Sequence, residues 1–233
     1  MTTASRTSSV RQIAPTSPPL PRRWSITPSD LNWGVFGIAL IIAAMWVRHG
    51  GLQLFDSPLN ALTAIGQLTA LFGTYLALVG ILLMSRAPFI DQVFGSDEAS
   101  RIHRLAGFAS VWFLVAHAVT STIGLSGAIT VPTIGEVWEQ IYTFTILEAG
   151  GLGATIALAL LILVAVVSIR AARARLAYET WYGIHLYVYV AMALGFLHQL
   201  TIGTDFVNDE LARNSWIALY AIAFVPLILF RFI

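Results

Sequence analysis

The chain of 233 residues contains five histidines, and four of them fall into two pairs inside long apolar runs. His103 and His117 stand fourteen positions apart, His185 and His198 thirteen. On helices rising about 1.5 Å per residue, those intervals are about 21 Å and about 19.5 Å of axial distance. If both segments cross a bilayer in the same direction, His103 and His185 share one level, and His117 and His198 share a second. Two neutral imidazoles facing each other at one depth suit the two axial positions of a six-coordinate haem iron. Two such pairs stacked across the bilayer would form a wire for electrons. A metal-bound imidazole also escapes the cost of leaving a polar ring unpaired in hydrocarbon.

The two helices differ in how readily they meet this requirement. Fourteen residues leave an ideal helix about 40° short of whole turns, so His103 and His117 project from one face. Gly107 and Ser110 lie between them on that face and are small enough to leave room for a flat group. Thirteen residues place His198 about 140° away from His185, with Gln199 nearer the first ring's face. Tilt, or a distortion near Gly195, would have to bring His198 round. A haem-free proton or metal-ion transporter using intramembrane histidines is the competing class. The distance between the two levels argues against one compact metal cluster, whose ligands must converge on a point. The chain has no cysteine, which excludes disulfides, thiolate zinc sites, iron–sulfur ligation and covalent c-type haem.

The elements that would carry these residues are transmembrane helices. Hydrophobic residues make up 57% of the chain and charged residues only 11%, where soluble domains carry about 25%. A span needs about 20 mostly apolar residues, and six stretches qualify: 31–47, 60–85, 102–124, 150–170, 179–203 and 212–232. The expected fold is all-α, a polytopic six-helix bundle. Residues 1–30, rich in Ser, Thr, Pro and Arg without an apolar core, read as a disordered basic tail rather than a signal peptide. Eleven of the thirteen basic residues, all arginines, fall on one side if the spans alternate; only Arg48 and Arg213 fall on the other. By the positive-inside rule both termini are cytoplasmic, as expected for a multi-pass plasma (inner) membrane protein. The near-zero net charge gives no sign of nucleic-acid binding.

Three further features stand out. Ile134, Val137, Trp138, Ile141 and Tyr142 recur at helical spacing in the third connection, predicting an amphipathic helix at the outer interface or a lid over an outer site. Gly66, Ala70, Gly73, Ala77 and Gly80 form a small-residue stripe that lets a neighbouring helix or flat ligand approach. His49 adjoins Arg48 at a Gly50-Gly51 turn on the outer side, and nothing in the sequence marks a partner for it or for Arg213.

The segments RIHRLAGFASVWFLVAH and YETWYGIHLYVYVAMALGFLHQLTIG resemble the ferric reductase-like transmembrane domain superfamily. That superfamily includes ferric reductases, NADPH oxidases and the haem-binding subunit of the methionine sulfoxide reductase system; the bacterial ferredoxin-reductase-like members are the most similar. The resemblance spans residues 31–233 and includes the irregular spacing on helix five. It implies two b-type haems, the inner on His103 and His185 and the outer on His117 and His198. It also implies an oxidoreductase passing electrons from a cytoplasmic reduced flavin to ferric chelate or dioxygen outside. Fused members carry a domain binding FAD and NAD(P)H after helix six. This chain stops at FRFI without a glycine-rich nucleotide fingerprint, so that part is expected on a missing domain or a separate reductase subunit. Arg101 and Arg104 flank His103 where propionates of an inner haem would emerge, and guanidinium pairs well with carboxylate. Trp112 and Phe113 lie between the two levels on helix three, facing either the electron path or lipid. Trp181 and Tyr182 read as interfacial anchors. A membrane subunit feeding electrons to a periplasmic reductase is the alternative within the same architecture.

Overall fold

Serine, threonine, aspartate and proline punctuate the chain where its apolar runs begin, and the helices start there. In the computed structural model, which describes residues 26–127 and 131–233, helix α1 (Pro28–Arg48) opens on a capping box. The Thr27 hydroxyl accepts from the Asp30 N–H at 3.3 Å, and the Asp30 carboxylate accepts from the Thr27 N–H at 2.8 Å. Pro28 fills the first helical position, where a missing N–H costs nothing. Residues 1–25 of the expected tail lie outside the described residues, and residues 28–30 form the first turn of α1. Ser57 caps α2 (Pro58–Leu83) with a single bond, its hydroxyl accepting from the Asn60 N–H at 3.3 Å. Pro88 begins α3 (Pro88–Gly124), which breaks at Gly95, where φ is 70° and a side chain would be strained.

A short α4 (Ile134–Tyr142) follows, also closed by a capping box, between Thr133 and Glu136. Then come α5 (Gly151–Ser168), the single turn α6 (Arg170–Arg173), α7 (Tyr178–His185), α8 (Tyr187–Ile202), the single turn α9 (Thr204–Val207) and α10 (Glu210–Leu227). Asp209 caps α10 by accepting from the Ala212 N–H at 3.0 Å. Pro226 lies inside α10, and the chain widens into a π-turn over Ile228–Phe232, as expected where proline removes a ladder donor.

Six helices are long and apolar enough to cross a membrane: α1, α2, α3, α5, α7 continued by α8, and α10 continued to Arg231. All six expected spans are present, and no strand occurs among the described residues. The architecture is an all-α polytopic bundle. Large apolar side chains stand out on its flanks, with Trp33 at 71% exposure, Leu105 at 69% and Trp112 at 70%. Water would not tolerate so much apolar surface, but acyl chains supply the partner it needs.

Helix α2 is the hub. One side packs along α3 and another against α10 and α1, while α5 packs along α8. The small-residue stripe serves the α2–α3 contact. A Cβ added to Gly73 would stand 3.0 Å from Leu114 Cγ and 3.1 Å from Phe113 Cβ, so glycine is what permits this approach. The main core gathers Trp46 of α1, Tyr75 of α2, Met192 of α8, and Trp216 and Tyr220 of α10. By contrast, α3 and α8 have no extended backbone packing on each other; side chains such as Leu114 and Leu194 span the interval.

Candidate functional site

His103 and His185 face each other across that interval, and His117 and His198 lie on the same two spans. His103 and His117 come from α3, and each is pinned by a backbone carbonyl of α2. His103 Nδ1 donates to Gly80 O at 3.0 Å, and His117 Nδ1 donates to Gly66 O at 2.9 Å, with Ser121 Oγ 3.2 Å from the same nitrogen. The two acceptors are fourteen positions apart on α2, as the two histidines are on antiparallel α3, so one packing register satisfies both. With Nδ1 committed as a donor, each ring keeps Nε2 as the basic nitrogen available to a ligand.

The facing rings come from the fifth span. The His103 and His185 ring centroids are 6.0 Å apart, with planes at 72°. His117 lies within electrostatic range of His198. The expected distortion of this span sits at Leu186, directly after His185, and not near Gly195. There α7 ends and α8 begins, with Leu186 at φ −65°, ψ −20°, and Tyr189 N–H bonding three residues back to Leu186 O. This tightened turn gives His185 and His198 separate helices, so the ideal-helix angle between them does not apply. Unlike their partners, His185 Nδ1 and His198 Nδ1 are buried with no hydrogen-bond partner. Aromatic rings hold them instead: Trp181 stacks on His185 at 5.1 Å and 26°, and Phe144 meets His198 edge-on at 5.5 Å and 83°.

Arginines gather near the His103–His185 level. Arg101 is turned to Glu98, with Nε donating to Oε2 at 2.7 Å. Arg104 is exposed and close enough to act electrostatically on His103. Arg231, which the sequence reading left aside, lies near both His103 and His185 and donates to Met84 O at 3.1 Å. Trp112 is 70% exposed and Phe113 39%, with the Phe113 Cβ beside Gly73 of α2.

At the opposite end, His49 has partners that sequence proximity could not reveal. Its Nδ1 is 2.8 Å from Asp205 Oδ1 and its Nε2 2.9 Å from Asp209 Oδ2, while Arg48 pairs with the same Asp209 carboxylate. A carboxylate on each ring nitrogen favours the imidazolium form of His49, against the opposing charge of Arg48 3.2 Å from Nε2. Bonding to Asp209 and then to Asp205 raises its pKa above the usual 6.5. The bond from His49, with the Ala212 N–H and Arg48, lowers Asp209 to about 2. Arg213 is 3.9 Å from Glu210, an exposed pair. The amphipathic α4 leaves Ile134 90% and Trp138 68% exposed, a face for the membrane interface. It is Phe144, in the π-turn after α4, that reaches His198.

A bundle of six apolar helices, each long enough to cross a membrane, with His103 and His185 facing each other from two of them, defines a polytopic membrane protein. Residues 69–196 match the family described as ferric reductase like transmembrane component, more than half of the chain, and the chain belongs to that family. The matched stretch contains His103, His117 and His185 and stops two residues short of His198. Membership assigns membrane-embedded oxidoreductase chemistry and transmembrane electron transfer at a coarse level. Searches of curated proteins and of solved structures find no match.

Proposed function

We propose that this chain conducts single electrons across a plasma (inner) membrane through two b-type haems, from a cytoplasmic reduced flavin fed by NAD(P)H to an acceptor such as ferric chelate or dioxygen outside. His103 and His185 would hold the inner haem, and His117 and His198 the outer. When bound, a bis-imidazole haem supplies a one-electron couple at each level. The observation that carries the reading is the 6.0 Å separation of the His103 and His185 rings. An imidazole nitrogen bonds a first-row metal at about 2.0–2.1 Å and lies about 1.1 Å from its ring centre, so two imidazoles on one metal place their centroids about 6 Å apart.

Other features of the chain support the fit. A Cβ added to Gly107, Gly183 or Gly195 meets nothing within 4 Å, leaving open space along α3, α7 and α8. The chain's own part is to hold four imidazoles in place, exclude water from them, and supply cations at one end. Arg101 was expected to pair with a propionate, but Glu98 already occupies it; Arg104 and Arg231 are the better placed cations, with Arg101 available if Glu98 releases it. The arginine asymmetry supports a cytoplasmic location for both termini and for the flavin donor, whether a domain or a subunit.

Proteoliposomes test this directly. Haem-loaded protein should pass electrons from a reduced flavin sealed inside the vesicles to a ferric chelate outside, and protein-free vesicles should not. A haem-loaded preparation no faster than protein-free vesicles would overturn the function.

A further inference from the structure

We infer that Trp181 is the positioning residue of the inner pair, setting the plane of the His185 ring through a stack that Arg173 and Ser168 hold in place. The inference rests on the haem reading above and deepens it. His103 is oriented by its bond to Gly80 O, whereas His185 Nδ1 is buried without a partner. Rotation of the His185 ring is therefore unopposed by any hydrogen bond. What lies flat against it is the Trp181 indole, with centroids 5.1 Å apart and planes 26° from parallel. Trp181 is four residues before His185 on α7, one turn away on the same face.

Trp181 is itself constrained from two sides. Its Nε1 donates to Ser168 Oγ at 3.4 Å, at the end of α5. The Arg173 guanidinium carbon lies 4.7 Å from its ring centroid, a cation–π contact. Arg173 is anchored in turn by Nη1 donating to Leu176 O at 3.2 Å. Groups that orient an axial ligand tune its metal without touching it. Trp181 is thus more than the interfacial anchor its sequence position suggests.

The test uses full-length, haem-loaded protein with Trp181→Leu, Trp181→Phe and Arg173→Gln. Low-temperature electron paramagnetic resonance and a redox titration read the two ferric centres, and His103→Ala identifies which signals are inner. Trp181→Leu should shift the inner g-values and midpoint potential or lose the inner signal, with the outer centre unchanged; Trp181→Phe should restore most of the wild-type signature. Inner signals in Trp181→Leu that coincide with wild type, or equal disturbance of both centres, would overturn the inference. If Trp181→Leu does not fold, Arg173→Gln decides: an inner-only shift supports it, and unchanged inner signals sink it. Wild-type protein that takes up no haem would instead defeat the underlying function.

Discussion

Replacing Gly66 with alanine should weaken the outer site while the same change at Gly80 leaves the inner one intact. A Cβ on Gly66 would run into Ser121 Oγ, and would also stand 3.1 Å from Thr120 Oγ1 and 3.2 Å from the Ser121 backbone nitrogen. Swinging the serine hydroxyl away from His117 Nδ1 relieves the first contact, and the other two require α2 and α3 to separate by a few tenths of an ångström. Overpacking of this kind costs about 1–3 kcal/mol. The His117 Nδ1 bond to Gly66 O is 2.9 Å long and is lengthened by that separation, while the Ser121 Oγ contact with the same nitrogen is lost, so His117 is held less firmly. At Gly80 the added carbon would meet His103 Nδ1 at 3.3 Å and the next atom only at 3.9 Å. A few tenths of an ångström suffice there, and the 3.0 Å bond to Gly80 O survives. Haem per chain, from the pyridine haemochrome spectrum, should fall below about two in Gly66→Ala, with the loss confined to the outer centre, and stay near about two in Gly80→Ala, given axial ligation by histidine pairs. Equal haem content in both variants, or selective loss of the inner centre in Gly66→Ala, would refute the reasoning.

The His49 clasp should be pH-sensitive in both directions. His49, its pKa raised above 6.5, contributes fully below 6.5 and loses its contribution as pH climbs through its own higher value; Asp209 contributes above 3.8 and loses it as pH falls toward about 2. Thermal stability in detergent, compared between wild type and His49→Ala, should show a difference at pH 5 that shrinks by pH 9; a pH-independent difference would contradict the clasp. Because the groups are exposed enough to be screened, His49→Ala should cost about 1 kcal/mol or less. Gln199→Leu is expected to destabilise by about 1–3 kcal/mol, since Trp216, Tyr220 and Thr74 all lose their partner at once; a denaturation midpoint equal to wild type would argue otherwise. Trp112→Leu, on a ring 70% exposed, should change stability by less than about 0.5 kcal/mol and leave the haem spectra untouched.

The spans were legible because length and apolarity alone decide what crosses a bilayer, and the caps at Thr27, Ser57 and Asp209 mark where helices begin. The meeting of His103 with His185 was legible too, since helical rise is fixed. What the sequence hid was orientation. The break at Leu186 lies in an unbroken apolar run, YGIHLYVYV, with no glycine or proline at the break to announce it. The pairing of His49 with Asp205 and Asp209 links residues about 160 positions apart, a relation no local pattern encodes. Arg101 illustrates a competing local interaction: Glu98, three residues earlier on the same helix, reaches it first. The carbonyl acceptors were readable in principle, because Gly66 and Gly80 repeat the fourteen-residue interval of His103 and His117.

The central claim is that each histidine pair grips one haem, and counting haem in single-histidine variants tests it most directly. Reduced-minus-oxidised spectra should show two b-type haems per chain in wild type. His103→Ala and His185→Ala should each remove one and the same centre, and His117→Ala and His198→Ala should each remove the other. Wild-type protein without haem, or a loss pattern that groups His103 with His117, would contradict the account.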